Sequence, residues 1–277
     1  MRLSILFILL LFAGIFLLIS CTDFKRDNPY DPDGINYVGD QSSSSSSSSV
    51  PSSSSVALPP SSSSSKPSSS SAGSVPSGGK GNNISAYKTK IIGTQTWMAE
   101  NLNYAASGSK CGGDDGKLKD DNTSYCDTYG RLYNWATAMA LDASCGPNSC
   151  ASQINPKHQG ICPEGWHIPN DDDWNKLVNF VESGNSCSNC AASYLKATSG
   201  WNSGGNGQDT YGFSALPGSY GYSGDSFGGV GGNGYWWSAT ESSGGGAYYR
   251  YMDYRYERVF WNVVNKSYLH SVRCVKD

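Results

Sequence analysis

Four groups of residues in this 277-residue chain have types and spacings that could do chemistry. They are eight cysteines in the C-terminal two-thirds, three histidines, two acidic clusters and a dense run of Tyr and Trp. Cys187-Ser-Asn-Cys190 has Cys-x-x-Cys spacing, which serves zinc or redox chemistry. No second pair with metal spacing accompanies it, Cys145 and Cys150 stand too far apart for the motif, and His158, His167 and His270 form no paired motif. A redox pair would want a strand before Cys187 and a helix opening at it, but Glu182 to Ser186 reads as the end of a helix. In an exported chain the even count reads instead as disulfides. Cys111 with Cys126, Cys145 with Cys150 and Cys187 with Cys190 are neighbours in loop-like sequence. Cys162 and Cys274 would then be left as a long-range staple. No metal and no cofactor is expected.

Asp171-Asp172-Asp173 follows a helix-start signature, where carboxylates complement the helix dipole, so it reads as capping rather than as acid/base machinery. Asp114, Asp115, Asp120 and Asp121 lack the spacing of a calcium loop and read as a solvated acidic loop. No Gly-x-Ser-x-Gly elbow and no Cys-His nucleophile pair stands out. The expectation is a protein without a catalytic constellation. The aromatic load is the stronger signal, because residues 201–277 hold half of the chain's Phe, Trp and Tyr. Tyr235-Trp236-Trp237, Tyr248-Tyr249-Arg250-Tyr251 and Tyr254-Arg255-Tyr256 put aromatics on both faces of strands. One face must build a core, and the other would present rings to sugars or partner proteins. Trp236 or Trp237, with Tyr249, Tyr251 and Tyr254, are the expected ligand contacts. Arg250 falls on the opposite face from Tyr249 and Tyr251 and reads as structural.

The elements that must position these residues follow from periodicity. Ile84–Ile92 and Gln95–Leu102 alternate as strands joined at Gly93. Leu132, Trp135, Ala136 and Met139 give helical spacing over 131–141. After Pro169, Asn170 and Asp173 have capping-box spacing, and Trp174, Leu177, Val178 and Val181 line one helix face. A short helix is expected at Ala191–Ala197. From Trp201 onward, Gly-rich turns separate Phe213–Leu216, Gly234–Thr240, Ala247–Asp253, Arg258–Val264 and Leu269–Val275, read as five strands of one antiparallel sheet. The pattern is α+β, in one domain over 84–277.

The N-terminus supplies an address. Arg2 precedes the apolar run 3–18, too short for a comfortable membrane span, and the run closes on Leu18-Ile19-Ser20-Cys21. That segment resembles a bacterial lipobox, which implies a signal peptide over 1–20 and a lipidated Cys21 as first mature residue. Thr22 follows, not Asp, which favours the outer membrane, facing either the exterior or the periplasm. Residues 21–40 are a polar lead segment. Residues 41–83 are Ser/Pro-rich and cannot bury enough apolar surface to offset their ordering entropy, so they read as a disordered linker spanning ~35 Å root-mean-square. A net charge of only −3 and the lack of a basic patch argue against nucleic acid.

Six segments carry a family resemblance. They are Gln95-Thr-Trp-Met-Ala-Glu-Asn-Leu-Asn-Tyr104, Gly130-Arg-Leu-Tyr-Asn-Trp135, Cys162-Pro-Glu-Gly-Trp-His-Ile-Pro169, Tyr211-Gly-Phe-Ser-Ala-Leu-Pro-Gly218, Gly234-Tyr-Trp-Trp-Ser-Ala-Thr-Glu241 and Ser271-Val-Arg-Cys-Val-Lys-Asp277. Together they closely resemble the Fibrobacter succinogenes major paralogous domain over essentially all of 84–277. Asp27-Asn-Pro-Tyr-Asp31 looks like the lead segment of such lipoproteins. The family is distantly similar to C-type-lectin-like domains and to formylglycine-generating enzymes. This implies a C-type-lectin-like single domain with two to three helices and a C-terminal antiparallel sheet. It is also consistent with a Cys162–Cys274 bond, since lectin-like folds tie a helix cysteine to one in the last strand. The lectin calcium signature is missing: Pro169-Asn170 has no acid before it, and Trp261-Asn262 lacks the following Asp. The resulting expectation is a surface-tethered lipoprotein whose C-terminal domain is a binding or adhesion module, with polysaccharide as the first ligand class. The alternatives are a structural or protein-interaction component of the envelope and, behind it, an enzyme resembling the formylglycine-generating group.

Overall fold

The computed structural model describes residues 78–222 and 225–277. The signal, the lead segment, Cys21 and almost all of the serine-rich linker lie outside the described residues. The described chain is α+β, with short helices and antiparallel sheets. Among the described residues no helix is long and apolar enough to cross a membrane.

The folded part begins before Ile84. The Lys80 backbone N–H donates to the Asn103 carbonyl at 2.8 Å, its ammonium pairs with Glu100 at 2.5 Å, and the Tyr87 hydroxyl donates to the Gly81 carbonyl at 2.8 Å. Asn83 then caps a 3-10 turn, Ile84–Ala86. The expected strand is therefore shorter: β1 is Thr89–Ile92, turning into β2, Gln95–Met98. A small ribbon, β3 (Cys111–Gly112) and β4 (Leu118–Lys119), precedes α1, Ser124–Tyr129, an element not anticipated from the sequence.

The helix expected over 131–141 shrinks to α2, Trp135–Ala138. Asn134 sits inside the periodic run, and its side chain accepts from the Thr137 N–H at 2.8 Å, which starts the helix there. The preceding residues are extended, with Leu132 bridged to Lys110 and Tyr133 to His270.

The next elements are β5 (Trp166–His167) and α3 (Asp171–Gly184). Asn170 and Asp173 form the anticipated reciprocal capping box, and Trp174, Leu177 and Val181 are buried. α4 covers Ala191–Leu195.

The C-terminal part holds β6 (Tyr220–Tyr222), β7 (Ser226–Gly228), β8 (Asn233–Ser243), β9 (Gly246–Asp253), β10 (Phe260–Asn265) and β11 (Val275–Lys276). Only β8, β9 and β10 form the expected sheet, in the order β10-β9-β8. Phe213–Leu216 contributes one bridge, Ala215 to Lys196. Residues 269–275 do not add a fifth strand, because their backbone changes partners almost residue by residue. Leu269 pairs with Gly221, His270 with Tyr133 and Ser271 with Trp236, and the Val272 carbonyl accepts from Leu102 at 2.8 Å. Val275 then enters a second sheet of order β1-β2-β11-β5. This seam binds the two sheets into one body.

Alternation in β8 and β9 divides the core in two. Trp237, Ala239, Ala247 and Tyr249 face a cluster with Leu102, Tyr133, Trp135, Ile168 and Val272. Trp236 and Met252 face another with Trp97, Trp174, Leu177, Leu195 and Phe213. Adjacent tryptophans thus anchor opposite sides of one sheet. Lys266, fully buried, donates to the carbonyls of Cys145, Asn148 and Gly244 at 2.8–3.0 Å, pairs with Glu241 and lies 4.4 Å over the Trp135 ring.

His167 on β5 is buried between two carboxylates, Asp277 at 2.7 Å through Nδ1 and Asp173 at 3.2 Å through Nε2. Burial alone would lower the imidazole pKa, but the bonds to Asp173 and Asp277 and their charges more than offset it, so the net shift is upward. For Asp173 burial acts upward, yet the bonds from His167 and the Asn170 N–H and the nearby Lys176 bring it below the usual carboxylate range. A raised histidine adds stability below its unfolded value of about 6.5 and loses it as pH rises through the folded value. A lowered carboxylate adds stability above about 3.9 and loses it as pH falls. Stability should therefore peak between these limits, and the alkaline side of the peak should flatten in His167→Gln. Melting temperature against pH checks this; a wild-type profile unchanged by the substitution contradicts it.

Candidate binding site

The aromatic side chains converge because strand alternation, register and the seam all deliver rings to one place. On β8 and β9 the register sets Tyr235 opposite Tyr251 and Trp237 opposite Tyr249, and β10 sets Phe260 opposite Tyr251. The hairpin β6–β7, held through Gly221 to Leu269, brings Tyr220 and Tyr222 beside Tyr268 and His270.

The result is a continuous run of rings. Phe260 stacks on Tyr251 at 4.7 Å, Tyr251 on Tyr235 at 5.6 Å and Tyr235 on His270 at 5.3 Å, all within 23° of parallel. Tyr220 meets Tyr235 edge-on at 5.1 Å and stacks with Tyr268 at 6.0 Å. Tyr222 closes one end, 38% exposed, and Tyr256 the other, 46% exposed and edge-on to Phe260 at 5.4 Å. Tyr220, Tyr235, Tyr251, Phe260 and Tyr268 between them are half-buried. Faces inside the column are spent on one another, so the middle rings offer edges and hydroxyls, while the end rings offer open surface.

The floor is uncharged. His270 is 2% exposed, its Nδ1 lies 3.1 Å from the Leu269 carbonyl, and its Nε2 has no hydrogen-bond partner among the described residues. Burial pushes its pKa down to about 3, which keeps the ring neutral. Burial raises the Tyr235 phenol well above its usual range, and the phenols of Tyr249, Tyr220 and Tyr251 oppose its ionisation further. The rings of Tyr220, Tyr235, Tyr249 and Tyr268 gather around one imidazole, at 5.0–6.4 Å. Such a site suits a ligand that combines apolar faces with neutral hydroxyls.

The residues expected to contact ligand fare differently. Trp236 and Trp237 are fully buried, and Tyr249 is 7% exposed, so these three belong to the core. The correction has a simple cause: β8 and β9 are covered on both faces, so no ring at their centre is left over for solvent. Tyr254 packs against the second cluster, with its Cβ where a side chain on Gly205 would clash. Tyr251 stands in the column. Arg250, on the other sheet face, contacts Asp171 at 3.5 Å and Asn175 at 3.0 Å. Tyr220, Tyr222, Tyr235 and Tyr256 fall in the Gly/Tyr/Trp-rich segment 218–258 expected to face ligand but were not among the named contacts, and Phe260, Tyr268 and His270 lie outside it. Tyr235 was recoverable, since it shares a strand face with Trp237; Tyr220 and Tyr268 join only through the tertiary seam.

The eight described cysteines pair as expected, three pairs between chain neighbours and one between the two left over: Cys111–Cys126, Cys145–Cys150, Cys187–Cys190 and Cys162–Cys274, with Cα separations of 5.4, 5.5, 6.1 and 6.0 Å. Of the acidic groups, Asp115 pairs with Lys119 at 2.7 Å and Asp120 with Lys110 at 2.6 Å. Among the described residues no three His, Cys, Asp or Glu side chains gather as metal ligands. A cavity of about 470 Å³ beside the α3 N-terminus is lined by Asn155, Asn170, Asp172 and Thr240, with Asp171 and Glu241 already turned to Arg250 and Lys266.

A family model described as the Fibrobacter succinogenes major domain matches residues 91–276. No curated protein and no solved structure matches the chain.

Proposed function

The chain belongs to the Fibrobacter succinogenes major domain family, and from that premise we propose that its ordered domain is a polysaccharide-binding module. In this reading Cys21 carries a lipid anchor in the outer membrane, and the serine-rich linker holds the domain away from the bilayer. The observation that carries it is the run of partly exposed rings from Tyr222 to Tyr256 over a neutral, phenol-lined floor. Contiguous aromatic surface of this kind is uncommon unless it serves binding. Tyrosine also gives rigid contact area with a hydroxyl attached, which matches a sugar's mixture of C–H faces and hydroxyls.

A C-type-lectin-like fold is part of the proposal. It is supported by the entry to α3 through Trp166-His-Ile-Pro169 and by β11 lying beside β2 near the start of the domain. Against the enzyme alternative, formylglycine-type chemistry needs reactive cysteines, and the eight described cysteines are joined in disulfides. One observation favours a protein partner instead. Trp261 and Val263 on the edge strand β10 are 43% and 36% exposed, as a strand-adding partner would require.

Retention of the full chain on insoluble xylan and cellulose tests the proposal. Tyr222→Ala and Tyr256→Ala should each reduce the bound fraction several-fold with an unchanged melting temperature. Undiminished retention in both variants would remove the ring run from the account. Loss of retention only on changing Trp261 would move the binding surface to β10.

A further inference from the structure

At the Tyr256 end of the ring run stands Arg258, half-buried in the turn between β9 and β10. Its guanidinium carbon lies 4.4 Å from the centroid of the Phe260 ring, the outermost ring of the stacked column. The other arginines near the C-terminal sheet are already committed. Arg255 grips Asp253 with two bonds, at 3.0 and 2.6 Å. Arg250 is turned to Asp171 and Asn175 on the far face. Arg273 is buried on Asn101 and the carbonyls of Phe213 and Ser214. Among the described residues Arg258 makes no ion pair, and its buried Nε has no hydrogen-bond partner. Neighbouring Glu257 is exposed and contributes its backbone carbonyl to the Ala192 N–H at 2.7 Å.

A guanidinium stacked on an aromatic face spends its face and keeps its in-plane N–H donors. Those donors match a carboxylate's two oxygens. Here the fork stands at the Tyr256 end of the run, beside an Arg255 already spent on Asp253. Resting on the binding reading above, we propose that the ring run takes an acidic polysaccharide, with Arg258 receiving the carboxylate of a uronate residue while the rings hold the adjoining sugars. The uncommitted guanidinium of Arg258 makes the charge of the ligand, rather than its backbone linkage, the feature this end selects.

Affinity electrophoresis of the full chain in mild detergent, through gels holding polygalacturonate or neutral hydroxyethylcellulose, tests it. The wild type should be retarded more by polygalacturonate, and added salt should shrink the difference. Arg258→Gln should abolish that preference, with affinity for polygalacturonate falling about tenfold, and Arg258→Lys should restore only part of it. Equal retardation of the wild type by both polymers, or a preference that survives in Arg258→Gln, overturns the acidic assignment and leaves the binding reading standing. Retardation by neither polymer overturns the binding reading and this inference together. Because the comparison between polymers uses wild-type protein, the assignment is decided even if a variant folds poorly.

Discussion

Replacing Trp237 with alanine should cost about 3–5 kcal/mol of stability, the range for emptying a large buried aromatic site. The indole is fully buried, its Nε1–H donates to the Tyr133 carbonyl at 2.7 Å, and it sits 4.4 Å from the His270 ring. Trp236→Ala should be as damaging on the other face. Its Nε1–H donates to Asn101 Oδ1 at 2.8 Å, and the same oxygen accepts from Arg273, so the substitution disturbs a buried cation's support as well as the packing. Tyr249→Ala belongs with them. Urea unfolding curves check the set, with Tyr222→Ala as the surface comparison. Near-wild-type stability for either tryptophan variant would contradict the two-sided burial of β8. A binding defect in these variants would report a damaged scaffold, so they are unsuitable as probes of ligand contact.

The second large effect is expected at the Cys162–Cys274 bond. It joins residues 112 apart, and both cysteines are fully buried. In the chain-entropy account a cross-link of that length contributes on the order of 4–5 kcal/mol, against roughly 2–3 kcal/mol for a loop as short as Cys145–Cys150. The bond also lies where the seam reaches β11, next to the Cys274 carbonyl that accepts from the Met98 N–H at 3.0 Å. The double variant Cys162→Ala/Cys274→Ala should thus lose much more than Cys145→Ala/Cys150→Ala in thermal unfolding. Non-reducing peptide mapping of the wild type gives the direct check. A free thiol at either position, or a bond from either to another cysteine, would contradict it.

What could be read in the sequence was local. The start of α3 is written in Asn170 and Asp173 themselves, and its buried face in the spacing of Trp174, Leu177 and Val181. Three cysteine pairs were legible because their members are neighbours along the chain. Residues 131–141 misled because Leu132, Trp135 and Met139 are buried whether the backbone is helical or extended, so periodicity could not see that Asn134 divides the segment. The last strand failed for a related reason. Residues 269–275 alternate like a strand but distribute their bonds among several partners, a choice made by the tertiary fold. The binding surface was legible as an aromatic excess and not as particular rings. With the centres of β8 and β9 covered on both sides, the exposed end rings Tyr222 and Tyr256 come from β6 and from the turn before β10, which no spacing rule connects.

Ring resonances of selectively labelled Tyr and Phe, followed while a soluble xylan or oligogalacturonate is added to the full chain, test the central claim most directly. The account predicts that Tyr222, Tyr251, Tyr256 and Phe260 shift together with one saturation curve. Exposed Phe180 on α3 and the half-buried Tyr211 it meets on the loop after α4 should stay in place. Shifts centred on Phe180, on Trp261 or on the cavity beside Asn155 and Asp172, or no shifts with either polymer, would contradict it.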